Sequence, residues 1–249
     1  MTEEEKFTFD LEGYLVIKNV LIPEEIDALS ALADECFPDR DPSATSRVEQ
    51  VSKWGEPTKN LIDHPKIVPY LVECIGPRFR IDHDYCIFMN QGNTRGRLHG
   101  GHDPNGDQWY SYRDGEVRNG LCAVIYFLAD ASEGDGGFCC IPGSHKTNFR
   151  SNLPEDVRYF ERIPHYVVQP PVKAGDALFF TEALIHGTLP WRARHERKTL
   201  LYKYSPGHTT WAREFYDPGE YGELSEQQQR VMHTPSAMRD HPDVVQSEQ

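Results

Sequence analysis

RIDHDYCIFM (Arg80–Met89) opens the part of the chain whose reading decides the fold. It is rich in β-branched and aromatic residues, and similar short runs follow: LCAVIYFLA (Leu121–Ala129), GFCCI (Gly137–Ile141), YVVQ (Tyr166–Gln169), ALFF (Ala177–Phe180) and TLLYKY (Thr199–Tyr204). Gly, Pro, Asp and Asn clusters divide them, as between the strands of an all-β sandwich or barrel. The preceding sequence reads differently. Tyr14–Val20 is a short apolar strand candidate, and Pro23 opens Glu24–Cys36, with Ile26, Leu29, Leu32 and Ala33 at helical spacing. Pro38–Ser46 is a loop, and His64–Ile75 is a second helix ended by Gly76–Pro77. Helices followed by many short strands predict a β core with helices packed outside it.

The chain has 249 residues, which suits one domain. Its parts are N-terminal helices over 1–78, a β core over 79–205 and a polar extension over 206–249, with a helix at Ser225–His233 and disorder expected in about the last ten residues. A net charge of −13 argues against nucleic acid or an anionic membrane as partner. No apolar run approaches the roughly 18–20 residues of a membrane span. The acidic segment Met1–Asp10 does not read as a secretion signal. The six cysteines include no CxxC pair, and adjacent Cys139 and Cys140 would point to opposite faces of a strand. Reduced thiols in a cytoplasmic protein are the expectation.

Chemistry gathers around two histidines out of eleven. Iron(II) that activates oxygen takes imidazole and carboxylate ligands on one face and keeps other positions open. His99 stands in Arg97-Leu98-His99-Gly100-Gly101-His102-Asp103, and the distal candidate His186 follows the strand Ala177–Phe180. Thr188 lies two residues after His186, so on a strand it faces the same way. Arg197 follows His186 by eleven residues. Together they supply a ligand, a hydroxyl and a cation able to hold a carboxylate in bidentate fashion, as a 2-oxoglutarate site requires. Asn90, at the end of the first long strand, is a further candidate to hydrogen-bond this cosubstrate.

The sequence resembles the phytanoyl-CoA dioxygenase family. Phe7…Glu12-Gly13-Tyr14-Leu15-Val16 with Pro23-Glu24-Glu25 is similar to the family's start, and Gly134-Asp135-Gly136-Gly137-Phe138…Ile141-Pro142-Gly143-Ser144-His145-Lys146 to its glycine-rich segment ending in PGSH. His186-x-Thr188 with Arg197 matches its distal pattern. The resemblance, over about residues 7–205, implies a double-stranded β-helix (jelly-roll) and Fe(II) held by His99 and His186. It also implies 2-oxoglutarate held by Thr188 and Arg197. The activity implied is hydroxylation of an unactivated C–H bond of a small molecule, using O2 and releasing succinate and CO2. The family name does not supply the substrate.

One departure stands out. The family's His-x-Asp is here His99-Gly100-Gly101. Asp103 or His102 could complete the ligand set through a sharp turn at the two glycines. Alternatively, chloride or water could fill a vacancy at Gly101, as in a halogenase, or the protein could be a non-catalytic jelly-roll binder. Other features have plainer readings. Ser144-His145 lacks the hydrolase elbow and caps a turn. Gly134–Gly137 lacks the Lys-Ser/Thr of a phosphate loop. Cys139 and Cys140 are core thiols. Trp109, Tyr110, Tyr112, Arg113 and Arg118 form an insertion that either walls the pocket or is an exposed loop.

Overall fold

The computed structural model describes residues 1–103, 106, 108–236 and 241–245. Its strands are β1 (Tyr14–Ile17), β2 (Ser46–Glu49), β3 (Phe79–Met89), β4 (Arg95–His99), β5 (Tyr110–Arg113), β6 (Glu116–Asn119), β7 (Cys122–Phe127), β8 (Gly137–Cys140), β9 (Ala177–Thr181), β10 (His186–Leu189) and β11 (Arg197–Pro206). A six-stranded antiparallel sheet runs in the order β1-β9-β7-β11-β3-β2, and a three-stranded sheet in the order β4-β10-β8. The two face one another across a shared apolar layer and form the jelly-roll. The strand expected at Tyr166–Gln169 is reduced to an isolated bridge between Val168 and Cys140.

Period-2 alternation divides the core. On β11, Leu200, Tyr202 and Tyr204 point outward into the cluster under the helices, while Leu201 points into the layer between the sheets. Arg197, Thr199 and Lys203 share the parity of Leu201 and enter the barrel, while Lys198 faces the helix side and bonds Ser30 and Asp34. On β3 the parity switches partway. Phe79 and Ile81 lie on the helix side, as do Cys86 and Phe88, while Tyr85, Ile87 and Met89 face inward. The cause is a bulge: Lys203 pairs with His83 but Tyr204 with Ile81, leaving Asp82 as the extra residue. Its buried carboxylate accepts bonds from the N–H groups of Trp211 (2.8 Å) and Ala212 (3.0 Å) and anchors the segment after β11. On β8, Cys139 lies in the outer cluster and Cys140 in the inner one, on opposite faces as expected. All six cysteines are free thiols.

The helices are α1 (Glu3–Glu12), α2 (Pro23–Cys36), α3 (Glu56–Lys59), α4 (Val68–Cys74), α5 (Glu155–Arg158) and α6 (Glu226–Val231). Helix α1 is absent from the sequence reading, though its signal is present. Thr2 and Glu5 form a capping box and Gly13 closes the helix in the left-handed region. The helix expected at His64–Ile75 is reduced to α4, because residues 64–67 form turns before Pro69 can start regular helix. The insertion after His99 contains the hairpin β5–β6, turned by Asp114-Gly115 with both φ angles positive. Part of the expected tail disorder falls on residues outside those described. Within 241–245, Val244 is buried and its N–H donates to Pro77 O. No helix among the described residues is long and apolar enough to cross a membrane.

Candidate active site

His99 is the last residue of β4 and lies directly opposite His186, the first residue of β10. Residues paired in this way project from the same face of the sheet, and the two imidazole centroids are 4.3 Å apart. Each ring is oriented from behind. His99 Nδ1–H donates to Arg97 O (2.9 Å) and His186 Nδ1–H to Leu184 O (2.8 Å). Both Nε2 lone pairs are thereby left for a metal, the usual device for fixing a ligand's tautomer. His186 is buried beside Phe180, with centroids 4.7 Å apart. Burial drives its pKa down to about 3, so the neutral form that binds metal is the one present near neutral pH.

The histidines open onto a cavity of about 240 Å³. Thr188 and Arg197 also line it, with Ile87, Ile125, Phe138 and Leu201 as apolar wall. Arg197 begins β11 and is buried, with Nη1 3.2 Å from Met89 Sδ. The sequence triplet therefore converges on one cavity.

Several lining residues escaped the sequence reading. Glu182, in the turn between β9 and β10, is buried, with Oε2 3.7 Å from His186 Nε2 and Oε1 2.7 Å from Lys203 Nζ. Burial pushes its carboxyl up, but Lys203 and the two imidazoles outweigh this and bring its pKa down to about 2. Its spacing from His186 is four residues, which resembles no ligand motif on a strand, and Lys203 reaches it only through the fold. At the other end, Trp211 stacks on His83 (4.9 Å) and Arg47 lies over Tyr85 (3.7 Å), forming an aromatic and cationic lobe.

Other candidates lie elsewhere. Asn90 forms a turn with Asn93, whose Oδ1 accepts the Asn90 N–H (2.8 Å), and it does not line the cavity. Asp103 also is not among the lining residues. Its N–H donates to Gln108 O (2.6 Å), and its carboxylate lies against Gly106. His102 Nδ1 accepts the N–H of Tyr110 (3.3 Å). At Gly101 a Cβ would meet Arg150 Cδ at 2.4 Å, and Arg150 Nη1 donates to Gly101 O (3.0 Å). Tyr110 turns away from the cavity, bonds Asp10 of α1 and meets His145 edge-on.

Gly100 has a packing reason. A Cβ at its φ of +84° would stand 2.4 Å from Leu184 O and 2.9 Å from Glu182 O. Its absence lets the end of β4 approach the turn before His186. Gly100→Ala is expected to destabilise the protein by more than about 2 kcal/mol, measured by urea unfolding, because strain and overlap add.

The PGSH turn supports the distal strand: Ser144 Oγ accepts the Ile185 N–H (2.7 Å). His145 is buried and donates through Nε2 to Asp10 O (3.1 Å), and burial lowers its pKa to about 4. The unfolded chain binds this proton more readily, so the contribution is intact above the ordinary histidine pKa of about 6.5 and is lost as pH falls toward 4. His145→Gln is expected to flatten the fall in unfolding free energy between pH 6.5 and 4 by up to roughly 3 kcal/mol, measured against wild type.

Two cross-strand imidazoles with free Nε2 atoms on one cavity could hold a divalent metal, and the buried arginine beside them could take a carboxylate. The chain belongs to the phytanoyl-CoA dioxygenase family, whose model matches residues 9–199. It is accordingly an Fe(II)/2-oxoglutarate-dependent oxygenase. HygX from Streptomyces hygroscopicus, solved with nickel and 2-oxoglutarate bound, is similar with a TM-score of 0.77 at 21% identity, over 90% of this chain and 95% of that one. HygX with nickel, 2-oxoglutarate and hygromycin B gives 0.75 at 24% identity, over 86% and 91%. SnoK, a non-haem alpha ketoglutarate dependent carbocyclase from nogalamycin biosynthesis, gives 0.64 at 16% identity, over 84% and 85%. At these identities the likeness is one of fold. No curated protein matches the chain in sequence.

Proposed function

We propose that the protein hydroxylates an unactivated C–H bond of a small molecule. The observation that carries this reading is the convergence of His99, His186, Thr188 and Arg197 on one cavity. His99 and His186 would hold iron through Nε2. Bound iron supplies the redox chemistry that couples decarboxylation of 2-oxoglutarate to oxidation of a C–H bond. Arg197, with the Thr188 hydroxyl beside it, would hold the distal carboxylate of 2-oxoglutarate and so aim its other end at the histidines. The apolar wall of Ile87, Ile125, Phe138 and Leu201 keeps water from the reacting centre. The cavity is below the roughly 300 Å³ of pockets that enclose drug-sized ligands. It suits 2-oxoglutarate and the reacting end of the substrate, with the remainder at the mouth near Trp211 and Arg47.

The test is 2-oxoglutarate consumption by anaerobically loaded enzyme after exposure to O2. Succinate and CO2 should form in equal amounts, slowly without substrate and faster with it. Protein that binds Fe(II) and 2-oxoglutarate yet forms no succinate with any substrate offered would be a binder.

A further inference from the structure

We propose that Glu182 supplies the carboxylate ligand of the iron site, so that the protein's three ligands are His99, His186 and Glu182. The inference rests on the iron/2-oxoglutarate reading above and re-sites the family's usual carboxylate. That group is expected two residues after the proximal histidine, where this chain has Gly101 under the side chain of Arg150.

Glu182 is held where a ligand is needed. Thr181 ends β9 paired with Cys122, and the Glu182 N–H donates to Leu121 O (2.9 Å). Leu184 N–H then closes a turn onto Thr181 O (2.9 Å), and the chain re-enters the sheet at His186. Glu182 and His186 are thus the two ends of one tight turn, and both side chains line the cavity. The missing Cβ of Gly100 brings the end of β4, and with it His99, against the carbonyls of Glu182 and Leu184.

The donor chemistry fits. Two imidazoles and a carboxylate are the ligand set of non-haem Fe(II) oxygenases. Lys203 engages Glu182 Oε1, and the other oxygen is 3.7 Å from His186 Nε2, the nitrogen left by the bond of Nδ1 to Leu184 O. Neighbouring ligands on one ion, each about 2.1 Å from it, are about 3 Å apart. Among the described residues no three His, Cys, Asp or Glu side chains already close on one point. The Glu182 side chain must therefore rotate to close the site, and Lys203 would follow as the group that orients the ligating carboxylate. A buried Lys–Glu pair is weak grounds for stability by itself, and a ligand role explains why an ion pair lies beside the histidines. Asp103, the rival acid, is not among the residues lining the cavity.

Co(II) binding to the full chain, read by calorimetry and by the visible ligand-field spectrum, tests this independently of turnover. Glu182→Gln should weaken Co(II) binding by more than about 100-fold and alter the spectrum, while Asp103→Ala should stay within about threefold of wild type. Since Glu182→Gln strands Lys203, the double variant Glu182→Gln/Lys203→Met removes the pair together and should show the same loss while remaining folded by circular dichroism. Wild-type affinity in both Glu182 variants, or an equal loss in Asp103→Ala, overturns the assignment and leaves the oxygenase reading standing. A wild-type chain that binds neither Co(II) nor Fe(II) overturns both.

Discussion

His186→Ala is expected to abolish tight Fe(II) binding and to lower 2-oxoglutarate turnover by at least roughly 10³-fold. The ring is buried, its Nδ1 is tied to Leu184 O, and its Nε2 faces the cavity beside His99 and Glu182. The variant should fold, because the deleted ring borders an existing cavity instead of a filled core. Calorimetric titration with Fe(II) under anaerobic conditions, with circular dichroism beside it, reads both halves. His99→Ala should behave alike. If it keeps its iron affinity, the proximal ligand moves to His102.

Arg197→Ala should weaken 2-oxoglutarate binding by about 30-fold to about 4,000-fold, since removing one partner of a buried charge pair costs about 2–5 kcal/mol and each 1.4 kcal/mol is tenfold. The absorbance of the anaerobic Fe(II)/2-oxoglutarate chelate gives the titration. Iron affinity should change little, because Arg197 lies at the start of β11 and the histidines meet across β4 and β10. Arg197→Lys keeps the charge but loses the planar fork, so an intermediate affinity is expected. Wild-type affinity for 2-oxoglutarate in Arg197→Ala would remove this residue from the cosubstrate site.

Much of the architecture was legible because its causes are local. The run Thr199–Tyr204 marked a strand by its apolar and aromatic residues, and the structure then divides Leu200 and Tyr202 from Leu201 between the two environments. Pro23 and the spacing of Leu29 and Ala33 did the same for α2. The capping box of Thr2 and Glu5 and the Asp114-Gly115 turn are equally local signals, present in the sequence though weaker to the eye than an apolar run. His186, Thr188 and Arg197 could be picked out together because two lie on one strand and the third opens the next, so sequence order carries their relation.

The tertiary structure decided what depends on separate segments meeting. Gly100-Gly101 after His99 was visible in the sequence, but the bond Arg150 makes to Gly101 O from 49 residues along the chain was not. Asp103 stood out as the nearest acid in sequence, whereas Glu182 lies in the cavity with the histidines from far along the chain. Glu182 and His99 line one cavity only because β4 pairs with β10, whose first residue closes the turn that begins at Glu182. Lys203, which holds that carboxylate, comes from β11, in the same sheet as β9 and opposite the two histidine strands. Periodicity and caps are written into neighbouring residues, whereas a site built across two sheets exists only once the backbone hydrogen bonds have set their register.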